Sequence, residues 1–291
     1  MTTAPPKAPP PPPPRAANGH TAAKAAPNGA KVSLGHLEPS FRPPRIILFA
    51  VEGWGKTSCG AYAPEPAILM AKGENGYETL LGTGSVPSVP AAKLETWPQT
   101  LALLDEFVEA DVLPFKTLVL DAMGGFERMC HEHVCNRDFG GEWGDKGFAN
   151  YQKGYDVAVT DWIALLTRLD RIYEKGAAIL MLGHTLVKPF KNPMGADFDR
   201  YVCDVHHKTW GPAHKWADAV LFGNYITLVE KDKPNAKKGK GVGGSERILY
   251  AERRDAFDAK NRYRMPPEIE IPNDPAAIWT TIIDSISHKE Q

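Results

Sequence analysis

The chain has 291 residues, 43% of them hydrophobic, and a formal net charge of −1. That apolar content suffices for a sizeable core, and the near-neutral charge excludes a protein that coats nucleic acid with its whole surface. Four cysteines make no disulfide framework, no charged-then-apolar leader is present, and no apolar run approaches the ~20 residues that cross a bilayer. We therefore expect a globular cytoplasmic protein without membrane insertion.

Residues 1–40 are rich in Pro and Ala, with an unbroken proline run at 9–14. This segment has too few large apolar side chains to offset its chain entropy. The sequence predicts a disordered tail over residues 1–40 and one ordered domain over residues 41–291. The proline run favours polyproline II, so the tail is either a partner ligand or a plain solvated segment.

Beyond the tail, short apolar runs alternate with stretches that have helical spacing. The runs are Arg45–Phe49, Ala67–Met70, Thr117–Leu120 and Ala177–Leu182. The helical stretches are Gln99–Val108 and Val157–Tyr173, the second with Ile163, Leu166, Leu169 and Ile172 on one side. Buried strands that alternate with helices predict an α/β fold with a mainly parallel sheet flanked by helices.

The pattern changes in the last third of the chain. A short helix is predicted at His214–Ala219, and strands are predicted at Ala219–Val229 and Arg247–Glu252. The segment Lys231–Ser245 between these strands is rich in Gly and Lys. This arrangement predicts a C-terminal antiparallel β-hairpin with a long tip.

The first apolar run leads into Ala-Val-Glu-Gly-Trp-Gly-Lys-Thr-Ser at residues 50–58. This stretch matches the phosphate-loop pattern G-x-x-x-x-G-K-[ST], with Ala50 in place of the first glycine. Small residues let backbone N–H groups turn inward around phosphates, and the following helix adds its positive N-terminal end. Lys56 would reach the β- and γ-phosphates, and Thr57 would ligate Mg²⁺. The predicted nucleotide-binding residues are Glu52, Gly53, Trp54, Gly55, Lys56, Thr57 and Ser58; an ordinary strand-to-helix turn is the alternative.

Three further polar residues come directly after predicted strands. Asp121 ends an apolar run, as the second Mg²⁺ ligand does in a Walker B segment. Ala122 and not Glu comes next, so we look elsewhere for the base that activates water and select Glu74, in a Gly-rich turn after the second strand. His184 comes after the fourth strand and would sense the γ-phosphate. Because the carboxyl ends of parallel strands meet at one edge of the sheet, we expect these three residues to lie close together. The alternatives to the catalytic roles are that Glu74 is a solvated turn residue and that His184 caps its strand.

These residues together resemble the phage AAA-like ATPases related to RecA-type recombinases, including single-strand-annealing ATPases of phage recombination modules. The resemblance runs from Arg45 to Ile271 and implies a RecA-like P-loop core that uses ATP and Mg²⁺. It also implies that Glu74 activates water and that His184 takes a sensor place that Gln holds in RecA. The chain departs from relatives at Ala71-Lys72 and, within the loop, at Glu52 and Trp54. The other matching motifs are Trp97–Thr100, Phe115–Thr117, Asp197–Tyr201, Lys215–Asp218, Asp258–Tyr263 and Met265-Pro266.

The resemblance implies a function in DNA recombination, single-strand annealing or repair. It also implies a homo-oligomer whose ATP hydrolysis is stimulated by DNA, located in the host cytoplasm if a phage encodes the protein. Lys260 and Arg262 would then reach a nucleotide on the next subunit. Two other functions stay open. They are an ATP-dependent adaptor that loads a replication or packaging machine and, less favoured because no lid Arg pair is found, a small-molecule phosphotransferase.

Single strands would bind, by this resemblance, along residues 122–152 and 185–210, two segments predicted to be irregular. A basic zone at residues 231–264 has eleven Lys or Arg against five Asp or Glu, an excess of six; its tip either contacts nucleic acid or keeps the hairpin soluble. The aromatic rings either stack on bases or lie buried under a lid. The candidate cations are Lys188, Lys191, Arg200, Lys208, Lys237, Lys238 and Lys240, and the candidate rings are Phe139, Trp143, Phe148, Tyr151, Phe190 and Tyr201.

The cluster Cys-His-Glu-His-Val-Cys at residues 130–135 suggests a zinc site. Its spacing matches no common structural zinc site. A helix that packs both cysteines inside is the alternative explanation.

Overall fold

The computed structural model describes residue 36 and residues 42–226, 228–230, 240–242 and 244–286. The tail predicted over residues 1–40 lies almost wholly outside these ranges and stays a prediction. The strands are β1 (Arg45–Ala50), β2 (Pro66–Met70), β3 (Ala91–Lys93), β4 (Thr117–Asp121), β5 (Ala178–Gly183), β6 (Thr185–Phe190), β7 (Phe198–Cys203), β8 (Ala219–Tyr225), β9 (Leu228–Glu230), β10 (Lys240–Val242), β11 (Arg247–Tyr250), β12 (Lys260–Asn261) and β13 (Glu268–Ile271). The helices are α1 (Lys56–Ala61), α2 (Gly76–Gly82), α3 (Trp97–Glu109), α4 (Met123–Asp138), α5 (Lys153–Glu174), α6 (His207–Trp216) and α7 (Ala277–Ser285).

The central strands are parallel, in the order β8-β1-β5-β4-β2-β3. Their apolar runs are continuous because both faces of the sheet are covered. In β1, Ile47 and Phe49 pack into one core, while Ile46 and Leu48 pack into the core on the other face. The predicted mainly parallel sheet flanked by helices is confirmed.

One face of the sheet carries α3, α4, α5 and α6, and the other carries α1 and α7. Helix α5 buries Leu166, Leu169 and Ile172, as its periodicity predicts. The prediction for Ile163 is wrong, because its side chain is 47% exposed and Trp162 takes the buried place at that turn. None of the helices in the described part of the chain is long and apolar enough to span a membrane.

The C-terminal strands are antiparallel, which confirms the predicted hairpin. β11 pairs with β8, β13 continues the sheet beyond β11, and β9 pairs with β10. The tip residues 231–239 lie outside the described ranges. The helix predicted at His214–Ala219 is wrong in its bounds: α6 begins at His207, behind His206 as its N-cap, and Ala219 already belongs to β8.

Two segments predicted to be irregular are regular in part. Residues 122–152 contain α4, and residues 185–210 contain the antiparallel pair β6–β7 and the start of α6. The adjacent glycines Gly124 and Gly125 argue against a helix from sequence, but they let α4 approach its neighbours closely. A β-carbon on Gly125 would lie 2.6 Å from Cβ of Ala71, and one on Gly124 would lie 3.0 Å from the carbonyl oxygen of Asp204.

The helical explanation of the cysteine cluster is confirmed, because Cys130 and Cys135 are buried on α4. Burial raises the pKa of the Cys130 thiol well above its ordinary value. Within the described ranges, no group of three or more His, Cys, Asp or Glu residues is placed to hold a metal ion.

Candidate active site

The chain between β1 and α1 turns sharply at two glycines. Gly53 has a φ of 72° and Gly55 a φ of 105°, both in the left-handed region that glycine enters without steric cost. Helix α1 then begins at Lys56. The local chain conformation therefore suits a loop whose N–H groups turn towards a bound anion.

Trp54, which is unusual in this loop, serves as an anchor. Its side chain is fully buried, and its indole N–H donates to the carbonyl oxygens of Asn224, at 3.2 Å, and Ile248, at 3.3 Å. Gly223 makes room for it, since a β-carbon there would lie 2.6 Å from Cε2 of the indole. The Trp54 side chain thus anchors the loop on β8 and β11, and a contact between Trp54 and the nucleotide stays a prediction.

The loop borders a cavity of about 330 Å³. Lys56 is almost buried there, and its Nζ donates to the carbonyl oxygens of Ala50 at 2.8 Å and Val51 at 3.1 Å. Burial lowers the pKa of Lys56, and the negative charges of Asp121 and Glu52 oppose that shift. The cavity is lined by the predicted residues Glu52, Gly53, Gly55, Lys56, Thr57, Ser58 and His184, together with Leu80, Arg247 and Pro275.

Thr57 and Asp121 meet at the edge of the sheet. The Thr57 hydroxyl donates to Oδ2 of Asp121 at 2.8 Å. Burial raises the pKa of the Asp121 carboxyl, while the hydrogen bond from Thr57 and the charge of Lys56 oppose that rise. A hydroxyl and a carboxylate are hard oxygen donors of the kind Mg²⁺ prefers, so the two residues fit the predicted metal site.

Glu74 and His184 also meet. Glu74 lies in the turn between β2 and α2, where Gly73 has a φ of 88° and the Glu74 N–H donates to the Ala71 carbonyl oxygen at 3.0 Å. Oε1 of Glu74 is 3.3 Å from Nε2 of His184, and this hydrogen bond raises the pKa of His184 while partial burial opposes the shift. Two groups that the sequence suggested separately thus form one pair.

The sheet register explains why these residues converge. Phe49 of β1 pairs with Gly183 of β5, and Met70 of β2 pairs with Asp121 of β4. The phosphate loop, His184 and the Glu74 turn each come after the carboxyl end of one of these parallel strands. They therefore share one edge of the sheet, where ligands bind in open α/β folds.

The candidate DNA-binding cations differ in their surroundings. Lys188 and Lys191 are exposed on and just after β6. Arg200 is buried and forms an ion pair with Asp258. Lys208 forms an ion pair with Asp156 at 2.6 Å. Lys237 and Lys238 lie outside the described residues, and so does the side chain of Lys240.

The candidate rings also divide by exposure. Tyr151 is 97% exposed and Trp143 is 45% exposed. Phe148 is fully buried, so it fits the buried-ring alternative and cannot stack on a base. Phe139 and Tyr201 are partly buried against the core of the same face.

Lys260 and Arg262 lie at the opposite edge of the sheet, beside the amino end of β8. The ammonium of Lys260 donates to the carbonyl oxygens of His214 at 2.8 Å and Ala217 at 2.7 Å. Arg262 donates to Asp218 at 2.9 Å, and Asp218 also accepts two hydrogen bonds from Arg45. The motifs at 215–218 and 258–263 therefore bind each other, and both predicted trans-acting cations are engaged within their own chain.

Two residues near the loop are not indicated by any sequence motif. Arg247 lines the cavity, and the hydroxyl oxygen of Tyr225 would lie 3.4 Å from a β-carbon on Gly53. Both come from the C-terminal strands, far along the chain from the loop. Neither belongs to a motif, and only the pairing of β8 with β1 and β11 places them here.

A family model described as an AAA domain matches residues 42–263. No curated protein matches the chain. Among solved structures, the crystal structure of the RadB recombinase is similar, with 11% identity, 80% of this chain and 89% of that chain covered, and a TM-score of 0.43.

Proposed function

Because this chain belongs to the AAA domain family, a family of P-loop ATPases, we propose that it binds ATP with Mg²⁺ and hydrolyses it to ADP and phosphate at the described site. The observation that carries the proposal is the 2.8 Å hydrogen bond between Thr57 and Asp121, directly beside Lys56. It joins a hydroxyl of the phosphate loop to a strand-end carboxylate, which are the two oxygen donors that Mg²⁺ uses at a P-loop site.

Each residue then has a distinct role. The loop N–H groups and Lys56 bind the phosphates, and Thr57 and Asp121 hold the metal ion. When bound, Mg²⁺ neutralises negative charge on the β- and γ-phosphates. Glu74 accepts a proton from the attacking water, and His184 holds the Glu74 carboxylate in place through their hydrogen bond.

His184 is suited to report the γ-phosphate because it directly precedes the β6–β7 pair, whose first strand is largely exposed. Strand β6 begins at the next residue, and the His184 carbonyl oxygen accepts a hydrogen bond from the Asp204 N–H at 2.9 Å, at the far end of β7. A change at His184 is therefore one residue away from both strands of this pair.

We further propose that a homo-oligomer of this chain couples hydrolysis to single-stranded DNA in recombination, annealing or repair. Exposed Lys188 and Lys191 on the β6–β7 pair support phosphate contacts, and exposed Tyr151 and Trp143 support base stacking. These cations lie on the element directly after the sensor residue, which supports a link between DNA contact and hydrolysis.

ATP turnover measured with and without single-stranded DNA tests both parts. We expect turnover to disappear in Lys56→Ala, and we expect stimulation by DNA to weaken in a Lys188→Ala, Lys191→Ala double variant that keeps its basal rate. Equal turnover of Lys56→Ala and the unaltered protein would remove the proposed site. Basal turnover without stimulation and without DNA binding at low salt would leave the ATPase and favour the adaptor function.

A further inference from the structure

Arg247 is a cationic residue of the cavity lining to which the proposed hydrolysis site assigns no role. It is the first residue of β11 and pairs with Tyr225 of β8. Two residues before Tyr225, Gly223 of β8 pairs with Ala50 of β1. Arg247 therefore lies just past the carboxyl end of β1, at the same edge of the sheet as the phosphate loop.

The guanidinium of Arg247 packs directly against Gly55. A β-carbon on Gly55 would lie 2.8 Å from Nη1 and 3.8 Å from Cζ of Arg247. Gly55 immediately precedes Lys56 and lines the same cavity. A side chain at this position would displace the guanidinium, so the glycine permits the contact as well as the turn.

The hydrogen bonding of Arg247 is incomplete. Nη2 donates to the carbonyl oxygen of Asn273 at 3.3 Å, which is a long contact. Nη1 is buried and has no hydrogen-bond partner among the residues that the structure describes. Buried donors are nearly always paired, and a donor of a charged group left unpaired at a cavity wall favours a ligand as the partner.

The charges around the cavity favour an anionic ligand. Lys56 and Arg247 both line it, and Glu52 is the carboxylate among its lining residues. A guanidinium stays charged in proteins, and its planar fork of N–H groups matches phosphate oxygens. Phosphate oxygens held by the loop at Gly55 would lie beside this guanidinium, because Nη1 would be 2.8 Å from a β-carbon on Gly55.

We propose that Arg247 is a nucleotide-binding residue that donates a charge-assisted hydrogen bond from Nη1 to the phosphate chain. This inference rests on the proposed ATP-binding function and adds to it a contact from the C-terminal strands. Nucleotide binding then ties β11 to the phosphate loop, next to the place where Trp54 already joins the loop to Ile248 of β11.

Inorganic tripolyphosphate separates a phosphate contact from a contact to the base. Its affinity and that of ATP would be measured by titration calorimetry for the unaltered protein, Arg247→Gln and Arg247→Lys. We expect Arg247→Gln to bind both ligands roughly 10- to 100-fold more weakly, as for a lost charged hydrogen bond. Arg247→Lys should fall between, because an ammonium keeps the positive charge but lacks the planar fork that matches phosphate oxygens. Arg253→Gln, which removes an equal charge from a side chain that is 65% exposed, should bind both ligands normally.

Unchanged tripolyphosphate affinity in the Arg247 variants overturns the proposal, whether or not ATP affinity falls. Melting of each ligand-free variant checks folding, and if Arg247→Gln does not fold, Arg247→Lys decides by the same criterion. Failure of the proposed function looks different: the unaltered protein would bind neither ligand, or Lys56→Ala would bind both as tightly as the unaltered protein does.

Discussion

Oε1 of Glu74 lies 3.3 Å from Nε2 of His184, and the two residues are 110 positions apart in the chain. The pair reaches from the end of β2 to the end of β5, and β4 with Asp121 lies between these strands in the sheet. The residue proposed to activate water and the residue proposed to sense phosphate therefore act as one unit. A change in either leaves the other without its partner.

Substitution of Glu74 by Gln should abolish most ATP turnover while nucleotide binding is kept. The amide cannot accept the proton from water, and general-base catalysis contributes about 10²- to 10⁴-fold. Turnover and ATP affinity would be measured together. Glu78→Gln is the control, because Glu78 lies one turn away in a surface ion pair with Lys93. Normal turnover of Glu74→Gln would assign the base to another group.

The Glu74–His184 pair should give a pH-dependent contribution to stability. The folded-state pKa of His184 is raised by its hydrogen bond to Glu74. The contribution is therefore fully present below the ordinary histidine pKa of about 6.5 and is lost as the pH rises through the raised value. NMR titration should show that the pKa of His184 lies above its ordinary value in the unaltered protein and is lower in Glu74→Gln. His214 on α6, whose pKa burial lowers, should titrate identically in both proteins; an unchanged His184 titration would contradict the pairing.

Replacement of Asp121 by Asn should make the ligand-free protein more stable and abolish Mg²⁺-dependent nucleotide binding. Burial raises the pKa of Asp121, so its ionisation costs folded-state stability as the pH rises above about 3.8. At neutral pH we therefore expect a higher melting temperature for the ligand-free variant than for the unaltered protein. Thermal melting and calorimetry with and without Mg²⁺ check the two effects. The prediction would be contradicted if Asp121→Asn were less stable than the unaltered protein and still bound nucleotide in a Mg²⁺-dependent way.

Lys260→Met should destabilise the protein because the carbonyl oxygens of His214 and Ala217 lose their donor. We expect a loss of about 1–3 kcal/mol from the free energy of unfolding. Denaturant unfolding measures it, with Lys215→Met as the control because Lys215 is exposed. Turnover per folded molecule under assembling conditions tests the trans-acting role: an unchanged rate opposes that role, and a large fall supports it.

Gly223→Ala should weaken both stability and nucleotide affinity. The added methyl group would lie 2.6 Å from Trp54 and 2.8 Å from Cβ of Ala50, so it would displace the anchored loop. Overpacking of this kind costs about 1–3 kcal/mol. Gly82→Ala is the matched control: it lies at the exposed end of α2, nothing lies within 4 Å of its β-carbon position, and we expect normal stability and normal ATP affinity. Normal ATP affinity of Gly223→Ala would show that the anchor does not shape the loop.

The parallel sheet and the positions of Lys56, Thr57, Asp121, Glu74 and His184 were predictable because each depends on a local pattern. Apolar runs mark buried strands, and the carboxyl ends of parallel strands must share one edge, so polar residues at those ends converge without knowledge of the strand order. The loop pattern is local for the same reason, since its glycines satisfy the backbone at the residue where they stand.

Long-range packing decided the rest. In the sequence, the glycine pair of α4 suggests a break in a helix. In the structure, Ala71 and Asp204 pack so closely against these glycines that no side chain would fit. In the sequence, Lys260 and Arg200 are cations with no visible partner. In the structure, Lys260 donates to backbone carbonyl oxygens and Arg200 forms an ion pair with Asp258. The sequence by itself determined that this chain builds a phosphate loop at the end of a buried strand. Only the tertiary structure decided that Trp54 anchors that loop and that Arg247 reaches it, because both contacts depend on β11, which joins the sheet from almost 200 residues away.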